Sequence, residues 1–196
     1  MGWYEGVADV ADAVEIYFDP AVKPYYGWVF PESQQRVNIG ICYDPAFGNL
    51  NAQQRFQAFL DSRLSQRIKF ASQIDYLVSH PIAVNHKPTA LSQQGMLIAG
   101  EAGNLVDPAT AEGIHTALAS GLLAGEFLGS LFDRGIQPSA ENLLPYTKLM
   151  QKKLGQRLMA GHLFLQTAKT PILDLALRFG ALKPVKDVLL WALAGA

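Results

Sequence analysis

The hydrophobic period of this chain changes near residue 50, and that change limits the folds open to it. Before the change, apolar side chains recur at every second position. Val14, Ile16 and Phe18 alternate with Glu15 and Tyr17, and Val37, Ile39, Ile41 and Tyr43 alternate with Asn38, Gly40 and Cys42. Such alternation marks half-buried strands. Tyr26 to Pro31 reads as an aromatic-rich strand between them, and Gly2 to Val7 as a further candidate. Short polar connections such as Glu32-Ser33-Gln34-Gln35 favour antiparallel pairing. After Asn49-Leu50-Asn51, the residues Phe56, Phe59, Leu60, Leu64 and Ile68 follow three- and four-residue steps, which predicts an amphipathic helix over about 51–70.

Further along, 74–78 and 81–84 read as short extended pieces, followed by a polar loop at Asn85-His86-Lys87-Pro88. Met96-Leu97-Ile98-Ala99 is a continuous apolar run, the pattern of a strand buried on both faces. A helix is expected over 113–133. Ser139, with Glu141 in the first turn, caps another that reaches about Lys169. Pro171 opens a third helix that Gly180 closes, and Pro184 opens a last one ending at Ala194. Strands followed by helices make an α+β chain. The expected division is 1–90 for a sheet with one helix, 91–135 for a second part and 136–196 for a helical tail.

Composition narrows the function classes. The 196 residues suffice for a core without disulfide or metal staples. The apolar set is 49% before the 17 glycines are counted and charged residues are 17%, against about 25% charged in typical soluble domains. This surplus of apolar surface asks for something to cover it. A net charge of -1 without a basic block argues against nucleic-acid binding. A single cysteine, Cys42, excludes an internal disulfide and any multi-thiolate metal site. His80, His86, His115 and His162 lack metal-ligand spacing, so no metal is expected. The greasiest stretch, 117–132, is interrupted by Glu126 and falls short of the ~18 residues of a membrane span. Met1 to Glu5 lacks a signal-peptide pattern, so the expected location is cytoplasmic, with peripheral membrane contact as the alternative.

The stretch from Met96 to Gly125 carries the chemical signal. A strand runs into a Gly-containing turn, then a loop with Pro108, then a helix rich in small residues. Gly113, Ala117, Gly121, Gly125 and Gly129 recur at four-residue intervals along one helix face. Each interior glycine costs about 1 kcal/mol relative to alanine, so the stripe implies close approach of a backbone or a flat ligand. Leu118, Leu122, Leu123 and Phe127 are expected on the opposite, core side. The helix amino end, with its free N–H groups, suits a phosphate or another anionic group, while tight helix packing without a ligand is the competing explanation.

The run from Gly100 to Ile114, Gly-Glu-Ala-Gly-Asn-Leu-Val-Asp-Pro-Ala-Thr-Ala-Glu-Gly-Ile, with Ala117, Ser120 and Gly121, resembles the second FAD-binding motif of geranylgeranyl reductase-like flavoproteins, a group within the p-hydroxybenzoate hydroxylase-like flavoproteins. Tyr26-Gly27-Trp28-Val29-Phe30-Pro31 followed by Asn38-Ile39-Gly40 resembles that family's Tyr-x-Trp-x-Phe-Pro strand and the strand after it, and Tyr4-Glu5-Gly6-Val7 a strand that precedes them. The three motifs cover about residues 3–125 in the family's order. The resemblance implies an antiparallel substrate-binding sheet, the carboxyl-terminal part of an FAD-binding domain and a helical tail. It sets Gly100, Glu101, Ala102, Gly103 and Asn104 beside the FAD ribityl and pyrophosphate, and Pro108, Glu112, Gly113 and Ile114 along the isoalloxazine. Tyr26, Trp28, Phe30 and Pro31 would line the cavity for an apolar substrate, the alternative being a core face packed on a helix. His115 is the one histidine placed near a cofactor, and Cys42 reads as a small buried strand residue.

The chain departs from the family pattern at several positions. Glu101 stands where the family has Asp, Gly103-Asn104 where it has Ala-Gly, and Ala111 where it has Gly. The family's Gly-x-Gly-x-x-Gly nucleotide-binding unit has no counterpart, so the chain reads as a carboxyl-terminal half, whether an expression fragment, a truncated gene or one piece of a split protein. The expected whole is an FAD-dependent oxidoreductase reducing carbon–carbon double bonds of an isoprenoid, with NAD(P)H as candidate electron donor. The alternatives are a monooxygenase of the same superfamily and an inactive or partner-binding fragment. The expected partners are an apolar small molecule, the missing amino-terminal nucleotide-binding half and a second copy in a homodimer; the isolated chain is expected to be inactive. The tail residues Leu173, Leu177 and Leu189-Leu190-Trp191 are expected to cover the cavity or touch a membrane surface.

Overall fold

The structure, a computed structural model, describes residues 1–84 and 89–178 together with Lys183, Pro184 and Asp187. The predicted loop at 85–88, the stop at Gly180, the side chain of Leu177 and Leu189-Leu190-Trp191 lie outside the described residues. The chain is α+β and forms two compact units, Met1–Pro81 and Ile82–Ala196.

The first unit is an antiparallel sheet with one helix. Its strands are β1 (Gly2–Glu5), β2 (Glu15–Tyr17), β3 (Gly27–Pro31), β4 (Arg36–Ile41) and β5 (Ser72–Gln73), in the spatial order β2-β3-β4-β1-β5. Between β4 and β5 runs α1 (Ala52–Phe59), which continues as a π-helical turn over Leu60–Leu64. Asn51 and Gln54 bond each other's backbone N–H groups, a capping box that fixes where α1 starts. Phe56, Phe59, Leu60 and Leu64 then pack on Tyr4, Val29, Val37 and Ile39 from the sheet. Arg55, although buried, is matched at every face: its guanidinium donates to the carbonyls of Leu50, Ala21 and Phe47 and lies over the Tyr43 ring.

One strand faces the opposite way from its sequence pattern. The alternation predicted Val14, Ile16 and Phe18 inward, yet Val14 and Ile16 are exposed and Tyr17 packs against the core. Electrostatics decides the register. Arg67, just past the helix, holds both Glu15 carboxylate oxygens at 2.8 and 2.9 Å and the Tyr17 hydroxyl at 3.0 Å, and Tyr17 donates to Glu15. The charged residue of the pattern thus gains a partner on the inner side.

The second unit is mainly helical. A short hairpin, β6 (Ser92–Gln93) with β7 (Met96–Leu97), leads into a 3-10 turn at Gly100–Gly103; α2 (Ile114–Phe132), α3 (Ala140–Ala168) and α4 (Pro171–Arg178) follow. Met96 to Ala99 was expected as a strand buried on both faces; instead β7 has two residues and Met96 is exposed. Ser139 caps α3 as expected, accepting the Asn142 N–H. Leu91, Leu105, Tyr146, Met150, Leu154 and Leu158 form the core, with Leu123 and Phe127 of α2 packed on it. Leu173 is buried, so in this unit it is not a surface residue. Among the described residues no helix is long and apolar enough to cross a membrane.

Candidate functional site

Two sets of residues singled out by the sequence each lie close together, though not all on one surface. The first lies on the sheet. Val29 and Tyr17 face α1, so their neighbours along the strands face the other way. Directly paired residues share a face. The pairs Ile16–Trp28–Gly40 and Phe30–Asn38–Trp3 therefore run across the open side of the sheet as two rows. Tyr26, Trp28 and Phe30 form a ladder there, with ring centroids 6.2 and 5.7 Å apart. Pro31, expected beside the aromatics, ends β3 paired with the core residue Val37 and so lies on the α1 side of the sheet. The alternative reading, in which these aromatics fill a core beneath a helix, does not describe this unit, because α1 covers the opposite face.

The open face is apolar for a further reason. Both indole N–H groups of the described tryptophans are spent internally: Trp28 donates to Asn38 Oδ1 at 2.8 Å and Trp3 to Glu32 Oε1 at 2.7 Å. A ligand on this surface meets rings rather than free indole donors.

The second set lies in the other unit, around the amino end of α2. Gly100 has φ +61, and a methyl group on it would stand 3.1 Å from Ala117 Cβ, so the turn lies directly against α2. Its N–H donates to the buried Ser120 Oγ at 2.9 Å, and that hydroxyl donates to Thr116 O at 2.6 Å. Glu101, Ala102 and Gly103 complete the turn, and Asn104 ends it in the left-handed conformation. Glu101 Oε1 accepts the Ala83 N–H at 3.0 Å, so this carboxylate also anchors the incoming chain.

The loop from Asp107 to Gly113 is fastened from α3. Asp107 is buried, accepts the Ala109 N–H at 2.9 Å and pairs with Arg157 Nε at 2.8 Å. At Gly161 a methyl group would lie 2.7 Å from Asp107 Oδ1 and 3.0 Å from Pro108, so α3 packs on the loop there with no room for a side chain. Neither Arg157 nor Gly161 was legible as part of this site, since each lies some 50 residues from its partners in an ordinary helical pattern. Ala111 has φ +53, which for a residue with a side chain costs about 1–2 kcal/mol. The resembled pattern has glycine here, and the left-handed backbone is the physical reason. Glu112 Oε1 accepts the His115 N–H at 2.8 Å, so the chain's own carboxylate takes one of the first-turn donors of α2. Gly113 is the N-cap, and Ile114 is 74% exposed.

The small-residue stripe of α2 is packed on the Gly100 turn at Ala117 and open from Gly121 onward. Methyl groups at Gly121, Gly125 and Gly129 would meet nothing within 4 Å. Leu118 and Leu122, expected in the core, are 71% and 64% exposed on this open side. The core contacts of α2 are made instead by Ala119, Leu123, Ala124 and Phe127. The error is one of phase: Leu118 and Leu122 share a row with Ile114, beside the glycines rather than behind them.

His80 and His115 are exposed, and no group of three or more His, Cys, Asp or Glu among the described residues is placed to hold a metal ion. Burial pushes the Cys42 thiol up to about 12, so at neutral pH it carries no thiolate to act as nucleophile.

No family model matches the chain. It is 29% identical over 160 residues to digeranylgeranylglycerophospholipid reductase 2 of Methanothermobacter thermautotrophicus, covering 78% of this chain and 38% of that one. Digeranylgeranylglycerophospholipid reductase 1 of Methanopyrus kandleri is 30% identical over 134 residues, 63% of this chain and 33% of that protein. Among solved structures, a geranylgeranyl bacteriochlorophyll reductase-like protein of Thermoplasma acidophilum shares the fold with a TM-score of 0.74 at 18% identity, over 86% of this chain and 42% of that one. The chain spans between a third and two fifths of the length of these curated relatives.

Proposed function

We infer that this chain, a geranylgeranyl reductase-like homologue that fits the carboxyl-terminal half of that family, supplies the substrate sheet and part of the flavin site of an FAD-dependent oxidoreductase that reduces carbon–carbon double bonds of an isoprenoid. The observation that carries it is the open sheet face, where Tyr26, Trp28 and Phe30 stand in one row and both indole N–H groups are satisfied within the protein. Such a surface holds a long hydrocarbon by area alone, at roughly 25 cal/mol per Å² buried. The relatives' names point to the same chemistry.

FAD fits the second unit at one end only. The bare stripe at Gly121 and Gly125 and the turn at Gly100–Asn104 offer backbone that a flat group can approach. No residue described here supplies the strand–Gly-x-Gly-x-x-Gly–helix unit that binds the nucleotide end. Reduced flavin, when bound, supplies the hydride. In this reading Asp107, Arg157 and Gly161 hold the 107–113 loop in place, Glu112 fixes the first turn of α2, and the aromatic row orients the substrate and excludes water. NAD(P)H is the proposed source of electrons.

A second reading is favoured by Ile114, Leu118 and Leu122, which stand exposed beside empty glycines on α2. In it the chain by itself is inactive and works with a nucleotide-binding half that covers this face. The test separates the two. The isolated chain is expected to bind geranylgeraniol, read by quenching of tryptophan fluorescence, yet to purify without flavin. A yellow protein with stoichiometric flavin would overturn the need for a second half; absence of geranylgeraniol binding would overturn the substrate assignment. Oxygen-dependent turnover of the flavin-loaded assembly would point to a monooxygenase instead.

A further inference from the structure

The open sheet face contains one buried polar side chain, Asn38, and one glycine, Gly40, flanking the same ring. A methyl group at Gly40 would stand 2.1 Å from Trp28 Cζ2 and 2.5 Å from Cε2, inside the indole. The ring therefore lies flat across the neighbouring strand, over the position where any other residue would carry a side chain. Flatness alone leaves the ring free to turn over about its own bonds. Asn38 removes that freedom. The indole N–H is a donor only, so it fixes the Asn38 amide with Oδ1 toward it, at 2.8 Å. Trp28 stacks on Phe30 at an interplanar angle of 29°, so the two rings make one continuous shelf.

We propose that Asn38 and Gly40 are positioning residues that lay the Trp28 indole flat and hold it there, so that the sheet presents a smooth aromatic shelf to an extended hydrocarbon chain. The inference rests on the reading of this face as the substrate surface. Neither residue needs to touch the ligand. Without the glycine, the ring stands up and interrupts the shelf. Without the amide oxygen, the indole N–H turns toward the ligand and exposes an unpaired donor to hydrocarbon, which weakens binding.

The full chain, in its unaltered form and as variants, is titrated with geranylgeraniol by isothermal calorimetry. In parallel the indole N–H resonances are recorded by nitrogen-15 NMR, that of Trp28 being identified by its loss in Trp28→Phe. Asn38→Leu is expected to weaken binding about tenfold and to speed solvent exchange of the Trp28 N–H. In the Trp28→Phe background the same substitution is expected to have no further effect on binding, because phenylalanine has no donor to orient. Gly40→Ala is expected to weaken binding at least as much; because its methyl group would also meet Met1 Cβ at 2.7 Å, the Asn38 cycle carries the double-mutant comparison. Should Gly40→Ala not fold, the Asn38 cycle decides. Binding by Asn38→Leu equal to that of the unaltered chain, or an equal loss with Phe at 28, overturns the inference while leaving the substrate surface standing. Failure of the unaltered chain to bind geranylgeraniol overturns the substrate reading and this inference together.

Discussion

In the sheet, a methyl group at Gly27 would stand 2.4 Å from the Phe59 ring and one at Gly40 2.1 Å from the Trp28 ring; on α2, methyl groups at Gly121, Gly125 and Gly129 would meet nothing within 4 Å. The same residue type thus marks two unlike situations. In the sheet, Gly27 and Gly40 are seats already taken by the chain's own rings. On α2 the glycines are vacant, with Ile114, Leu118 and Leu122 exposed alongside. A glycine signal in sequence reports that something approaches the backbone, without saying whether it belongs to the same chain. The surplus of apolar residues divides the same way, part consumed in the cores and part left on α2 and the aromatic shelf.

The largest expected effect probes a place where the second unit is tightly closed, the clasp of α3 on the 107–109 turn. Arg157→Ala leaves the Asp107 carboxylate buried without its cation and should cost about 3 kcal/mol in urea unfolding. A cost below 1 kcal/mol would mean that α3 does not hold the loop through this pair. Next is Gly27→Ala, expected to lose about 2 kcal/mol because the fully buried Phe59 ring has nowhere to move. A neutral result would show that the sheet's seats are looser than described.

Arg67→Ala should cost about 1–2 kcal/mol near neutral pH and change the pH profile. The hydrogen bonds from Arg67 are the main cause holding the Glu15 carboxyl below its ordinary 4.5. A depressed carboxyl contributes stability that is present above its unfolded value and is lost as pH falls through the folded one. The native chain should therefore lose this contribution below about pH 4.5, and Arg67→Ala should flatten that acid limb. Burial, then the neighbouring Glu15, raises the Tyr17 hydroxyl above 10.0, so its contribution is lost only as pH rises past that value. Unchanged acid sensitivity in the variant would remove Glu15 from the account. The smallest effect has the opposite sign. Gly121→Ala should stabilise the isolated chain by up to about 1 kcal/mol, since the methyl group meets open space. Destabilisation that grows with protein concentration would show instead that a second copy already covers the stripe.

Legibility followed the range of the interactions. The cap at Ser139 and the aromatic strand at Gly27–Pro31 depend on neighbours within a few residues, and both were readable. The inward turn of Glu15 and Tyr17 was not, because it is set by Arg67, more than 50 residues away. At the candidate cofactor turn, the spacing from Gly100 to Gly121 marked the place, whereas Ala111 at φ +53 showed why glycine is usual there. Arg157 and Gly161 carried no local signal.

The sequence by itself determined the α+β order of elements, the antiparallel sheet and the two stretches of chain that hold the named residues, because hydrophobic period, turn chemistry and capping act over a few residues along the chain. Tertiary structure alone decided which face each surface shows: that the tryptophan lies over Gly40, that α3 clasps the 107–109 turn, and that the α2 stripe stays open. Those outcomes depend on atoms brought within about 4 Å from distant parts of the chain, and periodicity contains no record of them.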